Sequence, residues 1–248
     1  MRWKKNENRP VFSGQAANRY DAWFEMPLGR YAMAREHELL LRLSPVRRNS
    51  RILDVGCGTA NQLLLFRQKG MTFGVGVDVS AEMLSLAREK IRHQPDASIF
   101  LIQARAEALP FKSGAFSKIT SVTALEFFQD PLKAVAEMKR LNASEYLFAV
   151  LNSWSISSQW RRLKSYFSRN LFRAAQFYSP FSLKKLCQRA GFTSPNWTFH
   201  WRTTLHFFPI FVPLFEGIFR TADRALTSVG SPFGAFLALH IQKRGDNE

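Results

Sequence analysis

The sequence predicts an α/β fold: a doubly wound, mostly parallel sheet of seven strands, with a helical cap at the N-terminus and helical insertions late in the chain. Three observations carry this expectation. Short apolar runs alternate with helical-period segments between residues 51 and 152. A glycine turn follows the first of those runs. Two later alternating stretches, 196–207 and 232–243, supply the last strands.

The elements follow in order. Residues 28–44 show an amphipathic helical pattern stopped by Pro45, and 1–44 is expected to form the cap. "RILDVG" is a buried strand, and "ANQLLLFRQKG" is a helix with Gly70 at its C-terminal cap. "TFGVGVDVS" is the second strand, and Ser80 can cap the helix "AEMLSLAREKI". "SIFLIQA" and "FSKITSVTALEF" are strands three and four. A helix from Pro131 to about Leu141 leads to strand five, "YLFAVLN". Residues 154–176 are helical in period, basic and aromatic, and "SLKKLCQRAGF" is a short helix closed by Gly191. The domain proper is expected at 45–248, with elaborations at about 153–180 and 205–232.

Bulk properties bound the partners. Of 248 residues, 46% are hydrophobic, enough for a real core. The longest apolar stretch, 205–219, is shorter than the ~20 residues a bilayer span requires and contains Pro209, Pro213 and Glu216. "MRWKKNENRPVF" has no apolar run of the kind that marks a signal peptide. Cys57 and Cys187 have no metal-ligand spacing, so no metal site is expected, and free thiols fit a reducing cytoplasm. The net charge is +16, and +9 of it falls in residues 151–248. No acid occurs from Tyr146 to Phe215, and 19 of the 34 aromatic residues lie in residues 151–248. Basic plus aromatic character points to an anionic partner with apolar surface: a membrane surface, an acidic ring system or, less favoured, nucleic acid.

The glycine turn, "LDVGCGTA", carries the chemistry. In open α/β sheets ligands sit outside the carboxyl ends of the strands. Asp78 ends strand two, 24 residues after Asp54, where an acid can accept hydrogen bonds from ribose hydroxyls. A dinucleotide fits poorly, because the third glycine position is Asn61 and the charge of Asp54 opposes a pyrophosphate. S-adenosylmethionine, with a ribose, an ammonium and a sulfonium, fits better.

With "GVDVS", "AEALPF" and "DPLKAVAEMKRL", the chain resembles class I S-adenosylmethionine-dependent methyltransferases of the type 11 group, which includes ubiquinone/menaquinone-biosynthesis methyltransferases. The resemblance covers about residues 18–152 and 177–192. It implies a Rossmann-like methyltransferase fold, an enzyme, and S-adenosyl-L-methionine as cofactor. It implies that Asp54, Gly56, Cys57 and Gly58 line the methionine end and that Asp78 binds the ribose. Val79, Ala106 and Glu107 would meet the adenine, Thr123 and Leu125 would floor the transfer site, and Tyr20 would close over the cofactor. Three departures stand out: Arg105 replaces an acid, Glu126 stands where a histidine is common, and "LNASEY" replaces a proline-glycine-glycine turn.

For proton transfer, Glu126 is the leading candidate by position, with His200 and His206 behind it. Glu126 has an equally ordinary reading as a solvated residue at a helix start, and the histidines read better as packed strand residues. No proline-cysteine pair supports cytosine C5 methylation, and no "NPPY"-like segment after strand four supports methylation of an adenine or glutamine amide nitrogen. The expected function is methyl transfer to a small hydrophobic or partly anionic acceptor. RNA methylation and a non-catalytic cofactor-binding scaffold at a membrane or partner surface are the alternatives. The expected location is the cytoplasm, with peripheral membrane contact.

Overall fold

The computed structural model describes residues 12, 15–92, 98–156, 159, 175–193, 195–207 and 212–245. Most of the basic aromatic segment 154–176 therefore lies outside the described residues. The elements run α1 (Gln15–Glu25), α2 (Pro27–Leu43), β1 (Arg51–Val55), α3 (Asn61–Gln68), β2 (Phe73–Asp78) and α4 (Ala81–Arg92). They continue with β3 (Ile99–Gln103), β4 (Lys118–Val122), α5 (Pro131–Arg140), β5 (Glu145–Leu151), α6 (Pro180–Arg189), β6 (Trp197–Thr204), α7 (Val212–Ser228) and β7 (Phe236–Lys243).

One sheet orders the strands β3-β2-β1-β4-β5-β7-β6. The first five pair in parallel, and β7 runs antiparallel to β5 and β6. Strand order reverses between β1 and β4, so a crevice opens there at the carboxyl ends. This is the doubly wound, seven-stranded architecture the alternation predicts.

The sheet is buried on both faces, which explains why its parallel strands read as continuous apolar runs rather than alternating ones. On one face Leu39 and Leu40 of α2 pack on Val122, Leu147, Ala149, Phe236 and Ala238. On the other, Tyr146 and Phe148 of β5 meet Leu183 of α6 and Phe192. Local chemistry sets the helix starts. Asp130 accepts from Lys133 N with Pro131 behind it, and Ser179 forms a capping box with Ser182 ahead of α6.

Two expectations change. Strand four is not continuous from 116 to 127. It stops at Val122, Thr123 adopts a left-handed φ of 49°, and Leu125–Phe127 form a 3-10 turn. The cap contains a second helix, α1, folded tightly against α2. A Cβ on Gly29 would lie 1.9 Å from Trp23 O, so only glycine permits that approach.

Candidate functional site

The crevice between β1 and β4 is a cleft of about 250 Å3. Its base is the turn after β1. The amides of Gly56 and Cys57 both donate to Val77 O, at 2.7 and 3.0 Å, which pins the turn against β2. Gly56 has φ +77°, and a Cβ there would lie 2.3 Å from Ala124 Cβ. Gly58 has φ +54°, and a Cβ there would lie 3.2 Å from Met83 Cε. The missing Cβ atoms and the left-handed φ values let the turn lie close against Ala124 and Met83 at the base of the cleft. Cys57 faces inward, with its Sγ 2.7 Å from where a Gly76 Cβ would stand, and burial pushes its thiol well up. It is a space-filler beneath the turn.

Asp78 is the cleft's polar anchor. One carboxylate oxygen accepts from Gly58 N and the other from Ser80 N, each at 2.9 Å. Burial raises its pKa, and these amides pull it back. Asp78 lines the cleft at the carboxyl end of β2, the position expected of an acceptor for ribose hydroxyls. Ser80 accepts from Met83 N at 3.2 Å, the predicted cap of α4.

Aromatic residues roof the cleft. Phe12 packs edge-on against Tyr20 and Phe127, with centroids 5.4 and 5.1 Å apart. Its carbonyl accepts from Ser80 Oγ at 2.6 Å, which ties the N-terminal chain to the end of β2. Tyr20 hydrogen-bonds Thr123. Burial, with Glu36 and Asp21 nearby, raises its hydroxyl far above the ordinary range. A cationic latch holds α1 down: Lys90 Nζ donates to Asp21 Oδ1 (2.7 Å), Thr59 Oγ1 (2.9 Å) and Asn61 Oδ1 (2.8 Å). Asn61, the residue in the third-glycine position, thus serves that latch.

At the far end, Glu107 Oε1 accepts from the amides of Gln129 and Asp130, at 3.1 and 3.2 Å. Arg105 reaches Gln129 Oε1 at 2.5 Å and Glu107 at 3.6 Å. The acid-to-arginine departure therefore closes a loop-to-loop tie.

The cleft gathers Tyr20, Gly56, Cys57, Gly58, Asp78, Val79, Ala106, Glu107 and Thr123. Five expected site residues fall elsewhere. Asp54 lies fully buried beneath the turn, where Thr120 Oγ1 donates to it at 2.7 Å, and burial pushes its pKa up to about 7. Glu126 points away from the cleft, because the 3-10 turn rotates it under the end of β5. There Leu151 N donates to its Oε1 at 2.6 Å. Its Oε2 and the nearby Tyr178 hydroxyl have no hydrogen-bond partner among the described residues, and burial lifts Glu126 to about 7. His206 is buried against Asp223, with Nδ1 2.7 Å from Oδ1 and Nε2 3.2 Å from Thr203 Oγ1, so both ring nitrogens are engaged. His200 sits exposed on β6, across from His240. Leu125 is fully buried in the core.

Phe12, Gln62, Phe127, Phe128 and Gln129 also line the cleft and carried no sequence signal. Gln62 is one residue past the Asn61 already noted, and Phe127 and Phe128 directly follow Glu126.

Residues 53–148 match the family model for a methyltransferase domain. The curated ubiquinone/menaquinone C-methyltransferase UbiE of Pectobacterium carotovorum is 36% identical over 104 residues, 41% of each chain. This segment is a class I methyltransferase domain of the type 11 group. Its methyl donor is S-adenosylmethionine, and the glycine cradle, Asp78 and the aromatic roof fit that molecule. An uncharacterized Mycobacterium tuberculosis protein is 29% identical over 182 residues, 73% of this chain and 59% of its own length. The chain thus spans about three-fifths of that relative. A solved S-adenosylmethionine-dependent methyltransferase from Thermotoga maritima superimposes with a TM-score of 0.68 at 22% identity, over 93% of this chain and 97% of that one. That likeness speaks for the fold.

Proposed function

We propose that the protein methylates a small acceptor with a hydrophobic body, one that ionises near neutral pH without help from a side-chain base. The carrying observation is the cleft lining. Phe12, Tyr20, Phe127 and Phe128 give it apolar walls. Its ionisable side chains are Tyr20, Cys57, Asp78, Arg105 and Glu107 among the described residues, and burial keeps the Cys57 thiol protonated. Asp78 and Glu107 are committed to backbone amides, and Tyr20 stays protonated. The similarity to a quinone C-methyltransferase supports an acceptor of this class.

When bound, S-adenosylmethionine supplies an electrophilic methyl on a sulfonium. The chain's own part is alignment and exclusion of water. Asp78 fixes the ribose, the glycine turn lets backbone approach, and the Phe12–Tyr20–Phe127 roof keeps solvent out. Orientation of this kind can supply ~7–11 kcal/mol of a barrier.

The test uses donor labelled in the methyl group, with label followed into lipid extract, small polar metabolites and RNA. Label in the lipid extract, absent with Asp78→Ala, supports the reading. Label in RNA would replace it with nucleic-acid methylation, and label nowhere would favour a cofactor-binding scaffold.

Asp54 gives a pH signature. Its folded pKa, about 7, lies above the ordinary 3.8. Its contribution to stability is therefore complete below 3.8 and is lost as pH rises through 7. A cationic ligand over the turn draws the proton off Asp54. Cofactor affinity should thus rise between about pH 6 and 8 with release of a proton. Calorimetry in buffers of different ionisation enthalpy measures that release. An affinity independent of pH, in wild type and Asp54→Asn alike, would show that Asp54 does not sense the ligand.

A further inference from the structure

Beside the cleft, past the carboxyl end of β5, the fold presents large apolar side chains to solvent. Trp154 is 40% exposed, Ile156 78% and Phe181 69%. Trp154 and Phe181 touch, with ring centroids 5.5 Å apart. The patch is held rigidly. Asn152 donates to the carbonyls of Pro232 and Gly234, both at 2.7 Å, and accepts from Trp154 N at 3.1 Å. Ser153 N donates to Tyr178 O at 2.8 Å, joining the turn to the start of α6. The capping box at Ser179 then sets where Phe181 projects.

Charge surrounds this patch on one side only. Lys185 lies one turn along α6 from Phe181, on the same face. Lys184, Lys185 and Arg189 are exposed, and no acid occurs between residues 146 and 215. An acidic protein or nucleic acid would satisfy the charge. Nucleic acid does not account for Ile156, an aliphatic group that cannot stack on a base, and a protein surface acidic enough to meet the lysines offers three apolar tips little to bury against. Basic residues beside exposed aliphatic and aromatic tips match an anionic phospholipid surface, where headgroups meet the cations and the tips enter the acyl boundary.

We propose that Trp154, Ile156 and Phe181, flanked by Lys184 and Lys185, dock the protein on anionic bilayers with the cleft mouth beside the membrane. This docking stands apart from the identity of the methyl acceptor. Its test needs no cofactor, so failure of either reading is visible without the other.

The experiment is co-sedimentation of the full chain with vesicles of phosphatidylcholine, with and without phosphatidylglycerol. Wild type should sediment with the anionic vesicles and stay in solution with the neutral ones. The Ile156→Ser/Phe181→Ser double variant should bind the anionic vesicles about tenfold more weakly. Lys185→Glu should weaken binding and flatten its salt dependence. The substituted side chains are exposed, and an unchanged Tm confirms that the fold survives. Absence of wild-type sedimentation overturns the proposal. So does equal binding by the double variant, which would mean attraction by charge alone. Binding to a single-stranded RNA without binding to vesicles overturns it in favour of a nucleic-acid surface.

Discussion

Asp223→Ala is expected to destabilise the fold by about 3 kcal/mol, the low end for removing one partner of a buried ion pair, because Arg35 also pairs with Glu38. Asp223 is fully buried on α7. Its carboxylate accepts from Arg35 Nε on α2 at 2.9 Å and from Thr204 Oγ1 at the end of β6 at 2.6 Å. It also accepts from His206 through the amide at 2.9 Å and Nδ1 at 2.7 Å. Burial alone would raise its pKa. The bonds from His206, Thr204 and Arg35 win and hold it at about 2. Because the folded value lies below the ordinary 3.8, this stability is present above pH 3.8 and is lost as pH falls toward 2. Alanine leaves Arg35, which is 3% exposed, with Glu38 as its remaining carboxylate, and takes from Thr204 and His206 the acceptor that Asp223 gives them. Denaturant unfolding at neutral pH measures the loss, and a change below about 1 kcal/mol would mean water replaces the carboxylate. Asp223→Asn should fall between the two, since an amide oxygen accepts while its nitrogen opposes Arg35. None of these groups lines the cleft, so cofactor affinity of the folded fraction should hold.

That network shows why some of the molecule was legible in the sequence and some was not. The β1 turn was readable because its constraints are local: two glycines with positive φ, and an acid one strand away. Arg35 and Asp223 are 188 residues apart, and nothing in the helical period around either marks it as buried. Lys90 is alike: its place in the last turn of α4 reads as a solvated cation, yet it reaches α1 and the glycine turn together. Phe12 is invisible for a different reason. It belongs to no periodic element, and its position over the cleft comes from the Ser80 bond and ring contacts. Glu126 is the instructive case. Its position after strand four promised a group at the transfer site, but the left-handed Thr123 and the 3-10 turn reverse its direction. Spacing locates a residue along the chain, whereas a single φ decides which side of the sheet edge it serves.

Asp78→Ala should weaken S-adenosylmethionine binding a hundredfold or more, roughly the loss of two hydrogen bonds to a charged acceptor at 1.5–3 kcal/mol each. Two losses combine. The ribose hydroxyls lose their acceptor, and the amides of Gly58 and Ser80 lose the carboxylate that orients both walls of the cleft. Asp78→Asn separates them. Asparagine keeps one carbonyl oxygen for an amide but presents its NH2 to the other, so it should bind more weakly than wild type and more tightly than alanine. Calorimetry reads the affinities, and the ligand-free Tm shows whether the turn itself has loosened. Saturating cofactor should raise the wild-type Tm by mass action, ~2.7 kcal/mol at a hundred times Kd, and leave that of Asp78→Ala nearly unmoved. Equal affinity of wild type and alanine variant would mean that the ribose is held by another polar side chain of the lining, such as Gln62, Glu107 or Gln129. The aspartate would then serve only the turn. A lowered ligand-free Tm with unchanged affinity would say the same, because a group that shapes the cleft and also holds the ligand must move both quantities.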